Sequence, residues 1–167
     1  MLWRDELRLM EIFNSLEIKD LEQLKIKYIK SKPFPHLVID GFLQYEIAKE
    51  LEDECREIST NINVSDNFQQ IKKSAFNDWS LMPNSLSKAC LFFNSGNFLN
   101  FLESVTNIKG LISDPFLEGG GMHQTKHGGL LKMHTDFNWH KKMHLHRRLN
   151  VLFYLNYNYE KNWDGKL

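Results

Sequence analysis

His134, Thr135 and Asp136 set an imidazole and a carboxylate two residues apart. Residues at that spacing on a β-strand point to one face, so both side chains can converge on one small object. A neutral imidazole offers a nitrogen lone pair, and a carboxylate offers a hard anionic oxygen. With one more histidine from elsewhere in a fold, they complete a two-histidine, one-carboxylate set. That set holds a ferrous ion and leaves positions open for a co-substrate and O₂. So short a triplet draws its weight from its context. Here Gly128-Gly129 precedes it, and Leu130–Asp136 reads as a β-prone run.

Other residues could do chemistry, and each has a plainer reading. His123 and His127 lie four apart, which on a helix could bind zinc. The glycines around them oppose a helix, so they read as turn or rim histidines. His144 and His146 repeat the two-residue spacing, and a cupin-type metal pair is the alternative there. They lie in the basic stretch His140–Arg148, read first as a solvated loop between strands and second as a rim that attracts an acidic substrate. Gly119-Gly120-Gly121 lacks the Lys-Ser/Thr of a phosphate loop and the pattern of a dinucleotide loop. Cys55 and Cys90 have no CxxC spacing, so a reducing compartment, the cytoplasm, is the simpler expectation.

The elements that must position these groups are read from periodicity. Residues 1–30 read as helical, with Leu7, Met10 and Phe13 at near-helical spacing. Asp20 can cap a second helix carrying Leu21, Leu24 and Tyr28 on one side. Pro33 and Pro35 end helix, and His36–Asp40 reads as a strand turning at Gly41. Ala48, Leu51, Cys55 and Ile58 mark an amphipathic helix. A polar connection over 59–80 contains a short strand near Lys73–Phe76. Leu86, Ala89, Cys90 and Phe93 mark another helix, and Phe98–Val105 a short one. Then β-prone runs take over: Met122–Thr125, Leu130–Asp136 and Leu149–Asn156, the last apolar on both faces and expected to be buried. Helices first and strands after predict an α+β plan with a sandwich or barrel at the C-terminal end.

Charge excludes some functions. Lys plus Arg and Asp plus Glu both number 21, so no global field points to nucleic acid or an acidic membrane surface. No apolar run approaches the roughly 20 residues of a membrane span, and the charged start Arg4-Asp5-Glu6 does not read as a secretory signal.

Taken in order, several segments resemble the Fe(II)- and 2-oxoglutarate-dependent dioxygenases, in the branch similar to prolyl 4-hydroxylases. Pro33-Phe34-Pro35-His36-Leu37-Val38-Ile39-Asp40-Gly41-Phe42-Leu43 looks like the family's opening strand and turn. Gly119-Gly120-Gly121-Met122-His123-Gln124 looks like its first barrel strand, and His134-Thr135-Asp136-Phe137-Asn138 like its metal strand. Arg147–Asn156 looks like the next core strand. Trp163-Asp164-Gly165-Lys166-Leu167 looks like the start of its Trp-x-Gly-Gly-x-Leu segment, with Asp164 where glycine is common. The resemblance implies an oxygenase domain over residues 33–167 behind a helical extension over 1–32. It implies N-terminal helices packed on a double-stranded β-helix, or jelly-roll, core.

The same resemblance implies His134 and Asp136 as iron ligands and Tyr154 as a hydrogen-bond donor to the 2-oxoglutarate carboxylate. Leu131 stands where many relatives carry an aromatic residue. Fe(II), 2-oxoglutarate as co-substrate and ascorbate are the implied small molecules, and the substrate is a small molecule or a peptide. In the family the third ligand, a histidine, and a basic residue for the co-substrate lie beyond the Trp-x-Gly-Gly segment. The chain stops at Leu167, so the expectation is a C-terminally incomplete domain holding only the N-terminal part of the core. A catalytically inactive relative acting as a binding module or fragment is the competing reading.

Overall fold

The structure is a computed structural model that describes residues 21–59, 67 and 69–163. It is mixed α+β. Among the described residues there are four α-helices and two separate two-stranded antiparallel sheets, and no closed barrel. No described helix is long and apolar enough to cross a membrane.

Helix α1 (Leu21–Lys30) has Leu21, Leu24 and Tyr28 half-buried on one side, as the periodicity predicts, and packs against the helix at Gly96–Thr106. The helix expected before it, with Leu7, Met10, Phe13 and the cap Asp20, lies outside the described residues. Helix α2 (Tyr45–Ser59) buries Leu51 to 1% exposure. Helix α3 (Asn84–Phe93) buries Leu86, and α4 (Gly96–Thr106) buries Phe98 and Val105.

Apolar burial ties α2 and α3 to one face of a sheet. Leu43, Leu51, Leu86 and Met122 form the core cluster, and Phe76, Cys55, Cys90, Phe153 and Leu155 pack against it. Phe98 sits among Phe93, Phe92, Phe101 and Phe42, with ring centroids 5.1, 5.3, 5.9 and 6.2 Å away. Offset and edge-on aromatic contacts of this kind add to the burial of the rings themselves. Burial pushes both cysteine thiols up to about 11, Cys55 and Cys90 alike, so they behave as core and not as nucleophiles.

Helix α3 begins after Pro83, which has no side chain to cap it. Glu54 of α2 supplies the cap instead. Its carboxylate accepts from the backbone N–H of Ser85 at 3.2 Å and of Leu86 at 2.9 Å. An anion at a helix N-terminus satisfies orphan donors and favours the dipole. Glu54→Ala is therefore expected to lower unfolding stability by about 1–2 kcal/mol. Glu54→Gln, which keeps an acceptor, should lose less. Urea unfolding checks this, and a loss under about 0.5 kcal/mol would remove the cap from the account.

Strand β1 (Gln70–Phe76) pairs antiparallel with β2 (Met122–Leu131). Phe76, Ala75, Ser74 and Lys73 face Met122, His123, Gln124 and Thr125 in turn, and then the register breaks. Ile71 next pairs with Leu130, so residues 126–129 stand opposite Lys72 alone. Lys72 adopts φ 51° and donates from Nζ to the His127 carbonyl at 3.2 Å, holding the bulge. Such a bulge bends a strand and re-aims the residues beyond it. The two runs expected at Met122–Thr125 and Leu130–Asp136 thus join into one strand, and it ends at Leu131, short of the His134 triplet. Ser74 and Met122 are buried toward the helices, while Ala75 and His123 occupy the open face.

A hairpin comes next, β3 (Trp139–His140) with β4 (Leu145–His146). It corrects the reading of residues 140–148 as a solvated loop. Two further expectations are corrected. His36–Asp40 is not a strand: the Val38 carbonyl accepts from Lys27 Nζ at 3.2 Å, and the His36 ring bonds the Phe34 carbonyl at 2.9 Å. The first bond occupies the Val38 carbonyl, a group that a ladder would use. Leu149–Asn156 carries no strand pairing and is not buried on both faces. Leu149, Phe153 and Leu155 are half-buried, while Leu152 and Tyr154 are exposed, because the helical core covers one side only.

Candidate metal centre

The His134–Asp136 pair hangs from the end of β2. Lys132 donates its backbone N–H to the Gln69 carbonyl at 2.9 Å, extending the ladder by one bond. The Lys132 carbonyl then accepts from His134 Nδ1 at 2.8 Å. A carbonyl can only accept, so this contact places a proton on Nδ1, and the lone pair of the neutral ring is then on Nε2. Nε2 lies 3.5 Å from Asp136 Oδ1. Two Lewis bases thus face each other across a gap that a cation, a proton or a metal ion, would satisfy. The residues converge although 132–138 form no strand; the histidine's bond to the chain two residues back replaces strand alternation as the aiming device.

Asp136 is held from its other oxygen. Asn150 Nδ2 donates to Oδ2 at 3.2 Å, and Arg147 Nη2 lies 3.4 Å from the same atom. Arg147 Nη2 also donates to Asn150 Oδ1 at 2.9 Å, closing a three-residue ring. The guanidinium lies over the Phe137 ring, 4.7 Å from its centroid, and the Arg147 backbone N–H donates to the Asn138 carbonyl at 2.9 Å. Gly119 makes room for this stack: at φ 70°, a Cβ there would lie 2.9 Å from Phe137 Cε1 and 3.7 Å from Arg147 Nη1.

The other singled-out residues fall elsewhere or serve the fold. His123 lies on the open face of β2, with its Nε2 3.2 Å from the Gly120 carbonyl oxygen; with a carbonyl partner the nitrogen must donate. Although the residue is exposed overall, partial desolvation of its ring and then the Lys73 ammonium hold its pKa below the usual imidazole value, against the Gly120 bond and Asp136, which raise it. His144 and His146 set their ring edges against Trp139, at 6.3 and 4.9 Å between centroids, which accounts for both as hairpin packing. Tyr154 is 62% exposed. It lies between the half-buried Phe153 and Leu155, and no direct contact joins it to His134 or Asp136.

His140 is a buried histidine that spacing did not single out. Its Nε2 lies 3.2 Å from Asp114 Oδ1 and 3.6 Å from Glu118 Oε2, while Nδ1 accepts from the Met143 N–H at 3.1 Å. Both ring nitrogens are committed to the fold, so it anchors the hairpin and offers no lone pair to a metal.

The His134–Asp136 pair fits a divalent ion as a two-point site. Neighbouring donors of an octahedral ion with bonds of about 2.1 Å lie about 3 Å apart, close to the 3.5 Å between Nε2 and Oδ1. The tautomer is correct, because metal-bound imidazoles characteristically donate their other N–H to a carbonyl or carboxylate. Both side chains are reachable, at 32% and 46% exposed. Among the described residues, no group of three or more His, Cys, Asp or Glu side chains is placed to hold an ion. In the sequence Arg147 belongs to the basic stretch His140–Arg148 and to the strand-like run after it, and Asn150 to that run alone. The available signal was Asn150 itself, a polar residue interrupting the apolar run from Leu149 to Phe153. Comparisons with protein-family models, curated proteins and solved structures find no match to this chain.

Proposed function

We propose that this chain carries part of the active site of an Fe(II)- and 2-oxoglutarate-dependent dioxygenase, similar to prolyl 4-hydroxylases. The observation that carries the reading is the His134 Nε2 lone pair facing Asp136 Oδ1 at 3.5 Å, with Nδ1 tied to a carbonyl. The sequence context of the triplet supports it. So does the packing of α2 and α3 against Met122 and Phe76 on one face of the β1–β2 sheet, while Ala75 and His123 on the other face are exposed. A jelly-roll core would use that open face as its interior.

In this reading His134 Nε2 and Asp136 Oδ1 hold the iron. Bound iron, with 2-oxoglutarate and O₂, supplies the oxidant that turns a C–H bond into C–OH, the co-substrate leaving as succinate and CO₂. The chain's own residues bind and orient. The Lys132 carbonyl fixes the imidazole, Arg147 and Asn150 fix the carboxylate, and the Tyr154 hydroxyl donates to a co-substrate carboxylate. Hydrogen bonds behind a ligand set its direction and basicity, and the protein's share of such chemistry is orientation and control of solvent. The third ligand and the basic co-substrate residue have no described counterpart.

The test is succinate formation from 2-oxoglutarate by the folded chain, with Fe(II) and O₂, against the same mixture containing a chelator. Chelator-sensitive succinate supports the reading. Metal binding that depends on His134 and yields no succinate favours a non-catalytic relative of the same fold acting as a binding module. No His134-dependent metal binding overturns the site.

A further inference from the structure

Asp136 has two oxygens with different surroundings. Oδ1 faces His134 Nε2, while Oδ2 is shared by Asn150 Nδ2 at 3.2 Å and Arg147 Nη2 at 3.4 Å. Arg147 and Asn150 also bond each other at 2.9 Å, so neither can move off Oδ2 without breaking a second contact. Phe137 lies against the guanidinium, and the Arg147 side chain is 19% exposed. A planar guanidinium stacked on an aromatic ring is pre-organised, with little freedom left to lose.

From this ring of contacts we infer that Arg147 and Asn150 are positioning residues, which occupy one oxygen of Asp136 so that it binds metal through the other alone. The inference rests on the ligand pair proposed above. A free carboxylate rotates and can chelate through both oxygens. One whose second oxygen is saturated presents a single donor in a fixed direction, leaving more of the coordination sphere for a co-substrate.

Charge alone makes the opposite forecast. Arg147 sits beside the only carboxylate of the pair, so a purely electrostatic view has it repel a divalent ion, and its removal should tighten binding. Positioning requires removal to weaken binding, because the carboxylate loses its fixed direction. The two accounts differ in sign.

The experiment is a titration of the full chain with Mn(II), reading free Mn(II) by electron paramagnetic resonance, alongside a thermal melt of each variant. The variants are Arg147→Met, Arg147→Lys, Asn150→Leu and His134→Ala. Arg147→Met and Asn150→Leu are each expected to raise Kd by about 10-fold or more, with Arg147→Lys between wild type and Arg147→Met. Asn150 is exposed, so Asn150→Leu keeps the test alive if Arg147→Met fails to fold. Unchanged or tighter binding in the folded variants overturns the inference, including the case where only the melting temperature falls. If His134→Ala abolishes binding while the Arg147 and Asn150 variants bind normally, this inference alone fails. If wild-type binding does not depend on His134, the ligand pair fails and the inference falls with it.

Discussion

His134→Ala and Asp136→Ala are each expected to abolish chelator-sensitive succinate formation and to cost more metal affinity than a supporting residue, which is worth roughly 10–100-fold. The reason is arithmetic of donors. Among the described residues the site has two, Nε2 and Oδ1, and removing either leaves a lone group of little affinity. The fold should survive. The two side chains are a third to a half exposed, and substitutions at such positions shift stability by about 0.5 kcal/mol or less. Asp136→Ala should cost somewhat more than His134→Ala, because Asn150 loses its acceptor and Arg147 its ion-pair partner. Asp136→Asn sharpens the test: it keeps the shape and one oxygen but loses the charge, and should fail nearly as badly. Wild-type metal binding in either alanine variant would remove that residue from the site. Binding that survives Asp136→Ala and fails in His144→Ala would instead revive the cupin-type pair, against the packing of His144 and His146 on Trp139.

Helices were legible in the sequence because an amphipathic helix writes its burial at a period its own residues carry. Leu51, Leu86 and Phe98 each sit where three- and four-residue spacing puts them. Strands were read less well, because a strand needs a partner that sequence spacing does not name. His36–Asp40 finds no partner strand and gives its Val38 carbonyl to Lys27, and Leu149–Asn156 has an apolar composition with cover on one side only. The site shows the same division. His134 and Asp136 were visible from residue type and spacing, though strand geometry was the wrong reason for their meeting. Arg147 and Asn150 were not visible, because their role depends on a hairpin that brings residue 147 back to residue 136, and that return is set by tertiary contacts such as His140 with Asp114.

Gly121→Ala is expected to destabilise the fold by about 3 kcal/mol, a large share of the roughly 5–15 kcal/mol that holds a typical domain. Gly121 has φ 86°, which costs any L-residue strain. A Cβ there would also lie 2.3 Å from the Phe76 carbonyl oxygen. Backbone cannot swing aside as a side chain can. Relief requires parting Phe76 from Met122, the pair that joins the sheet to the core. Gly120→Ala is the internal control, since the nearest atom to its Cβ would be 3.6 Å away, and should change stability by less than about 0.5 kcal/mol. Equal melting curves for the two variants would discard the close-approach argument. Gly119→Ala separates fold from site. Its φ of 70° carries the same kind of backbone cost as at Gly121, but its Cβ meets only the edge of Phe137, a side chain that can turn, so Gly119→Ala should lose less stability than Gly121→Ala. Phe137 backs the Arg147 guanidinium, and Arg147 braces Asp136. A displaced ring therefore reaches the carboxylate through two contacts, and metal affinity should fall further in Gly119→Ala than its melting temperature alone would suggest.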